Sequence, residues 1–143
     1  MKIMAITGAS SGVGKATAIR FANNGYQVCG LSRNIGKLDA LEQESSGKIQ
    51  AYPTDVSDSS SVEETFAKIV NDHGRIDVLV NNAGVNRDEL LISMEKEDWN
   101  KVISTNLGGL FHCTKAVAKY MMLQKHGRII NISSIRDLNF IIW

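Results

Sequence analysis

The sequence predicts a doubly wound α/β domain on a parallel sheet, incomplete at about five strands, and three observations carry that prediction. Apolar runs of strand length recur along the chain with helical periods between them. Each run is apolar almost throughout, as in a strand covered on both faces, rather than alternating as in a sheet with one wet side. The first run, Ile3-Met4-Ala5-Ile6, feeds Thr7-Gly8-Ala9-Ser10-Ser11-Gly12-Val13-Gly14, and a helical pattern follows at once.

The elements follow in chain order. Strands are expected at Ile3–Ile6, Val28–Leu31, Ile49–Tyr52, Val78–Val80 and Ile129–Ile132. Behind the glycine turn, Gly14, Ala18, Phe21 and Ala22 fall on one helical face. Val62, Phe66, Ile69 and Val70 share a face of another helix, with Ser61 and Glu64 spaced as a capping box. The last long helix carries two apolar stripes. Leu107, Leu110, Phe111, Thr114, Ala118 and Met121 form one, and Gly109, Cys113, Ala116, Tyr120 and Leu123 lie nearly opposite. Apolar all round, this helix is expected to be buried all round, by the sheet on one side and a further partner on the other.

Composition narrows the function classes. A chain of 143 residues makes one domain with a modest core. The net charge of +1, with Lys and Arg scattered, gives no nucleic-acid or anionic-membrane surface. Apolar content of 43% and charged content of 22% are those of a globule, not of a disordered tail. Cys29 and Cys113 lie too far apart for a CxxC or metal spacing and read as reduced, buried thiols. No apolar run reaches membrane-spanning length, and the glycine turn at residue 8 leaves no room for a signal peptide. The expected compartment is the cytoplasm, with an organelle matrix left open.

The glycine turn is the main carrier of chemistry. A strand entering a glycine-rich turn at a helix N-terminus aims backbone N–H groups and the positive helix end at one point, which suits a phosphate. In a βαβ unit that phosphate is a dinucleotide's pyrophosphate. A nucleotide-triphosphatase loop would need glycine at position 9 and Ser or Thr at position 16, where Ala9 and Ala16 stand. The second strand ends in Leu31-Ser32-Arg33, with no acidic residue to hold a ribose 2′-OH. The Arg33 guanidinium instead suits a 2′-phosphate, which favours NADP(H) over NAD(H). Asn81-Asn82-Ala83-Gly84 after the fourth strand reads equally as a plain turn or as strand-end amides along a cofactor.

Together these motifs resemble the short-chain dehydrogenase/reductase family, whose fold is Rossmann-like. The resemblance rests on Thr7-Gly8-x-x-x-Gly12-x-Gly14, Asn81-Asn82-Ala83-Gly84, Asn106 in the following helix and Gly127-Arg128-Ile129-Ile130-Asn131-Ile132-Ser133-Ser134. It runs from Met1 to about Ile135, and Asn86–Leu91, Trp99 and Thr105-Asn106-Leu107 are most similar to the 3-oxoacyl-acyl-carrier-protein reductases. It implies that Gly8, Gly12 and Gly14 shape the turn, with Ser10, Ser11 and Val13 on the phosphate and ribose side. It implies that Asp55 and Val56 contact adenine, and that Asn82, Ala83 and Gly84 run along the nicotinamide-side ribose. Ser11 stands where NADP-using relatives often carry a basic residue, leaving Arg33 as the 2′-phosphate candidate. Asn106 matches the asparagine that anchors a proton-relay water, and Ser134, with Ser133 beside it as the alternative, matches the serine on the substrate carbonyl.

The departure from the family pattern is equally definite. Its chemistry uses a Tyr-x-x-x-Lys pair, a tyrosine that moves the proton and a lysine that lowers its pKa, both on one helical face. Here Tyr26 is followed four residues on by Gly30, Tyr52 by Val56 and Tyr120 by Gln124. The expectation is therefore of a truncated, N-terminal part: a nucleotide-binding unit over residues 1–135 and an atypical apolar tail over 136–143. The parent would reduce 3-oxoacyl thioesters on coenzyme A or acyl-carrier protein with NADPH. The chain as written would be a non-catalytic NADP-binding or interaction fragment. The family's dimers and tetramers imply a homo-oligomer through residues 107–125, with the Gly109, Cys113, Ala116, Tyr120 and Leu123 stripe as the contact.

Overall fold

The structure, a computed structural model, describes residues 1–87 and 89–134. It contains β1 (Lys2–Thr7), α1 (Gly12–Asn23), β2 (Tyr26–Ser32), α2 (Ile35–Glu44), β3 (Ile49–Pro53), α3 (Ser59–His73) and β4 (Val78–Asn81). Then come α4 (Lys96–Ile103), a π-helical turn at Ser104–Gly108, α5 (Gly109–Gln124) and β5 (Arg128–Asn131). The five strands lie in the order β3-β2-β1-β4-β5, every pair parallel. This is the doubly wound sheet the apolar runs predict, and each run falls within a residue or two of its strand. Ile135 and the 136–143 tail lie outside the described residues, and so does the expected domain boundary.

Strand alternation divides the core into two layers. Ile3 and Ala5 of β1 face one way, into a layer completed by α3 and α5 through Val62, Phe66, Ile69, Cys113, Ala116 and Val117. Met4 and Ile6 face the other way, into a layer completed by α1 and α2 through Ala18, Ala22, Leu38 and Leu41. The expected helix faces hold, since Gly14, Ala18 and Ala22 are buried on α1 and Val62, Phe66 and Ile69 on α3. Both cysteines are fully buried, and burial pushes each thiol up to about 12. No helix among the described residues is long and apolar enough to cross a membrane.

Two expectations fail, each for a physical reason. Asp58, not Ser61, caps α3: its carboxylate accepts from the Ser60 amide at 2.9 Å, and the helix begins at Ser59. The Ser61 hydroxyl is turned back to accept from the Asp55 amide at 3.2 Å. The second failure concerns α5. Gly109, Cys113 and Ala116 of the expected contact stripe form the inner face instead, buried with Val117 and Met121 against the sheet and α3, whereas Tyr120 is half-buried and Leu123 stays exposed. Small residues are needed there because α5 lies close to the β3–α3 loop. A Cβ on Gly109 would stand 2.6 Å from Val56 Cγ2. Nor is the helix buried all round: Leu107 is 62%, Phe111 59%, Met122 77% and Leu123 84% exposed.

At the opposite end of the sheet from the glycine turn, Asp77 locks the strands together. Its side chain is 1% exposed. Its carboxylate accepts from the Ile3 amide at 2.8 Å and pairs with the Arg75 guanidinium, whose Nε lies 3.0 Å away. Burial pushes this carboxyl up, but the Ile3 amide, Arg75 and His126 outweigh it and hold it below the usual carboxylate range. A hydrogen bond to a charged group is worth about 1.5–3 kcal/mol, so Asp77→Ala is expected to cost about 2–3 kcal/mol in urea unfolding. Because the folded-state pKa is depressed, this contribution is complete above the unfolded value of about 3.9 and fades as pH falls through the folded one. The gap between wild type and variant should therefore narrow below about pH 4. A gap independent of pH would show that the carboxylate's charge plays no part.

Candidate functional site

The chain leaves β1 toward β2 and β3, then returns past β1 to β4. At that reversal the loops after β1 and β4 part, and the carboxyl ends of the strands open into a crevice. It holds about 600 Å³. Its lining takes Gly8, Ser10, Ser11, Val13 and Gly14 from the β1–α1 turn, Ser32 and Arg33 from the end of β2, and Thr54 and Val56 after β3. The far wall is Asn82–Asn86 after β4, with Thr105 and Ser134 beyond.

Glycine is required at two positions of the turn. Gly8 sits at φ +70, and a Cβ there would lie 3.0 Å from the Ala83 backbone. Gly14, at the buried face of α1, has room for no side chain. A Cβ would stand 2.6 Å from Asn82 Nδ2 and 2.8 Å from the Gly8 carbonyl carbon. The first turn of α1 is thus pressed onto the loop, which brings its free N–H groups to the crevice floor. Ser11 precedes α1 in extended conformation and its side chain makes no capping bond, so those amides are not already taken by a local cap.

Thr7 fastens this turn to the far wall. Its hydroxyl accepts from the Asn82 and Ala83 amides, both at 2.9 Å, while Asn82 Nδ2 donates to the Thr7 carbonyl at 3.0 Å. Asn82, Ala83 and Gly84 thus form one wall of the crevice. Asn81 is buried beneath it and donates to Thr114 Oγ1 and Asn131 Oδ1. Asn106 stands behind the same wall, inside the π-helical turn Ser104–Gly108. Its side-chain amide pairs with both backbone groups of Val85, accepting at 2.8 Å and donating at 3.0 Å. Both amide atoms of this π-turn residue are thus committed to the loop after β4.

At the other rim Arg33 is exposed beside Asp55. The Asp55 carboxylate accepts from the Ser57 amide at 2.9 Å and hydroxyl at 2.6 Å. Burial pushes its pKa up, but these bonds and the Arg33 guanidinium bring it below the ordinary value. The Ser32 hydroxyl donates to Ser10 Oγ at 2.9 Å and accepts from the Asn34 amide, holding the end of β2 against the glycine turn.

Of the expected site residues, Gly8, Ser10, Ser11, Val13, Gly14, Arg33, Val56, Asn82, Ala83, Gly84 and Ser134 line one crevice. Gly12, Asp55 and Asn106 stand just outside its lining, and Ser133 is not part of it. Sequence reasoning missed the supporting roles of Thr7 and Ser32, because each is defined by contacts across the fold. No group of His, Cys, Asp and Glu among the described residues could hold a metal ion.

Comparison with known proteins bears on this crevice. The family model for "short chain dehydrogenase" matches residues 2–141. The 3-oxoacyl-[acyl-carrier-protein] reductase FabG of Thermotoga maritima is 45% identical over 137 residues, covering 94% of this chain and 56% of that protein. FabG of Escherichia coli is 40% identical over 134 residues, covering 94% and 55%. Among solved structures, ElxO with NADP bound superposes with a TM-score of 0.87 at 42% identity, covering 94% of this chain and 56% of that one. A metagenomic short-chain oxidoreductase in complex with NADP gives 0.89 at 35% identity, covering 94% and 63%. The chain spans little more than half the length of the curated relatives it matches.

Proposed function

The chain belongs to the short-chain dehydrogenase family, and from that premise we propose that its crevice binds NADP(H) as part of a reductase acting on 3-oxoacyl thioesters. The observation that carries this reading is the pairing of a side-chain-free phosphate cradle at Gly8 and Gly14 with a cationic Arg33 at the end of β2. Pyrophosphate suits the α1 amides, Ser10, Ser11 and Val13, with Gly12 opening the helix. Arg33 suits a 2′-phosphate, and Asp55 with Val56 stands at the adenine end. Asn82, Ala83 and Gly84 form the wall for the nicotinamide-side ribose. Bound there, NADPH supplies a hydride for a carbonyl carbon. Ser134 can donate a hydrogen bond to the carbonyl oxygen, and Asn106 holds the wall that faces it. The acyl-carrier-protein thioester as substrate rests on the names of the FabG relatives.

A second reading applies to these 143 residues by themselves. No tyrosine among them is followed four residues on by lysine, so the proposed proton donor of the reaction is not supplied. They are then an NADP(H)-binding unit without turnover. For self-association the exposed row Trp99, Ile103, Leu107 and Phe111 along α4, the π turn and α5 replaces the buried Gly109 stripe as the proposed surface. The cytoplasm is the proposed compartment.

Titration calorimetry with NADPH tests the binding reading. Saturable one-site binding is expected, weakened at least about fivefold in Gly14→Ala. A methyl group there must displace the Gly8 backbone or Asn82, an overpacking cost of about 1–3 kcal/mol. Absence of binding by wild type with native circular dichroism would sink the proposal.

A further inference from the structure

We infer that His112, on α5 and outside the crevice, is a positioning residue for its adenine end. Val56 is 7% exposed and lines the crevice just past β3. Its carbonyl oxygen lies 3.0 Å from His112 Nδ1, so the imidazole donates to it, and His112 itself does not line the crevice. The same residue is gripped a second time by α5. Gly109, one turn earlier, meets the Val56 side chain so closely that a Cβ would lie 2.6 Å from Cγ2. Backbone from one side chain and side chain from one bare glycine are thus both fixed by α5. Elsewhere this loop is held by its neighbours: Thr54 donates its amide to the Ser32 carbonyl at 3.0 Å, and its hydroxyl meets Thr65 Oγ1 at 3.0 Å. Asp55 accepts from Ser57 and donates its amide to Ser61, both within the loop or the start of α3. His112 supplies the side-chain hydrogen bond from α5 to this loop, 56 residues away in sequence.

This inference rests on the proposed reading of the crevice as an NADP(H) site. A loop that must be ordered when nucleotide binds reduces affinity by the cost of that ordering, and a bond made beforehand removes it. One neutral hydrogen bond sets the scale, about two- to tenfold in affinity. His112 touches no proposed ligand atom, so its effect is confined to the end of the crevice that Val56 lines. Asparagine can place its Nδ2 donor close to where the imidazole Nδ1 stands, whereas leucine keeps the bulk and removes the donor, and glutamine carries its donor one carbon too far.

The test measures the affinity of the full chain for NADPH and for adenosine 2′,5′-bisphosphate, the half of NADPH that lies at this end, by calorimetry. His112→Leu is expected to weaken both by the same factor, about three- to tenfold. His112→Asn is expected to bind both within about twofold of wild type, and His112→Gln to resemble His112→Leu. The folded fraction of each variant, read by circular dichroism, separates a local loss of affinity from a general loss of stability. If His112→Leu fails to fold, the contrast between the Asn and Gln variants carries the same test. Wild-type affinity in His112→Leu, or in His112→Gln, overturns the inference while leaving the site reading intact. A loss confined to NADPH and absent with the bisphosphate also overturns it, because the effect would then lie at the nicotinamide end. Failure of wild type to bind either ligand overturns the site reading and the inference with it.

Discussion

The purified chain, incubated with saturating NADPH and acetoacetyl-CoA, is expected to leave the absorbance of reduced nicotinamide unchanged against a protein-free blank. Under the proposed reading, Ser134 at the crevice and Asn106 behind its wall help place a carbonyl. Neither replaces a group that delivers a proton to the oxygen as negative charge grows there. A positioned general acid contributes about 10²–10⁴-fold. Tyr26, Tyr52 and Tyr120 have Gly30, Val56 and Gln124 where the lysine partner should stand. Tyr52 is also committed elsewhere: its hydroxyl donates to Asp72 Oδ2 at 2.9 Å, and burial pushes its pKa well above the ordinary value. Turnover that follows the protein through purification and vanishes in Ser134→Ala would overturn this expectation.

Arg33→Asp is expected to invert the preference between NADPH and NADH. Wild type should favour NADPH by about ten- to over a hundredfold, the worth of a charge-assisted bond of about 1.5–3 kcal/mol. The lower end is the better estimate at high salt, because Arg33 is exposed and screening acts on exposed charge. Asp55 also draws on the same guanidinium. In the variant a carboxylate faces the 2′-phosphate with like charge and can accept from a ribose 2′-OH, so both changes push the same way. Equal affinities for the two nucleotides in wild type would show Arg33 to be a solvated surface charge.

Much of the fold was legible because burial on both faces leaves a simple mark. Runs such as Met4-Ala5-Ile6 can only be strands of a covered sheet or pieces of a buried helix, and the glycine turn behind them decides for strand. The faces of α1 and α3 were legible by period alone. The inner face of α5 was not. Its two stripes are both apolar, and periodicity does not say that the smaller residues go inward to admit Val56 while Phe111 and Leu107 stay out. Ser61 misled because its spacing to Glu64 is correct for a cap, whereas the loop needed its hydroxyl for the Asp55 amide. In the site, glycines and Arg33 announce themselves by residue type. Thr7, His112 and the π turn around Asn106 do not. Each works through a partner at least 21 residues distant, and no local pattern encodes such a pair.

The Thr7 catch has a consequence for the order of events in folding. It joins positions 75 and 76 residues apart, so the closure entropy of that long loop is spent before the contact forms. A chain synthesised only through α3 already carries the glycine turn, β1, β2 and β3, yet lacks the strand that Thr7 must reach. The cradle is therefore expected to be completed late, when β4 docks beside β1, because non-local pairings of this kind are the slow ones. A nucleotide that recognises the finished cradle finds nothing to grip in earlier species. Its stabilisation falls on the native side of the barrier, where it retards unfolding and leaves the rate of folding almost untouched.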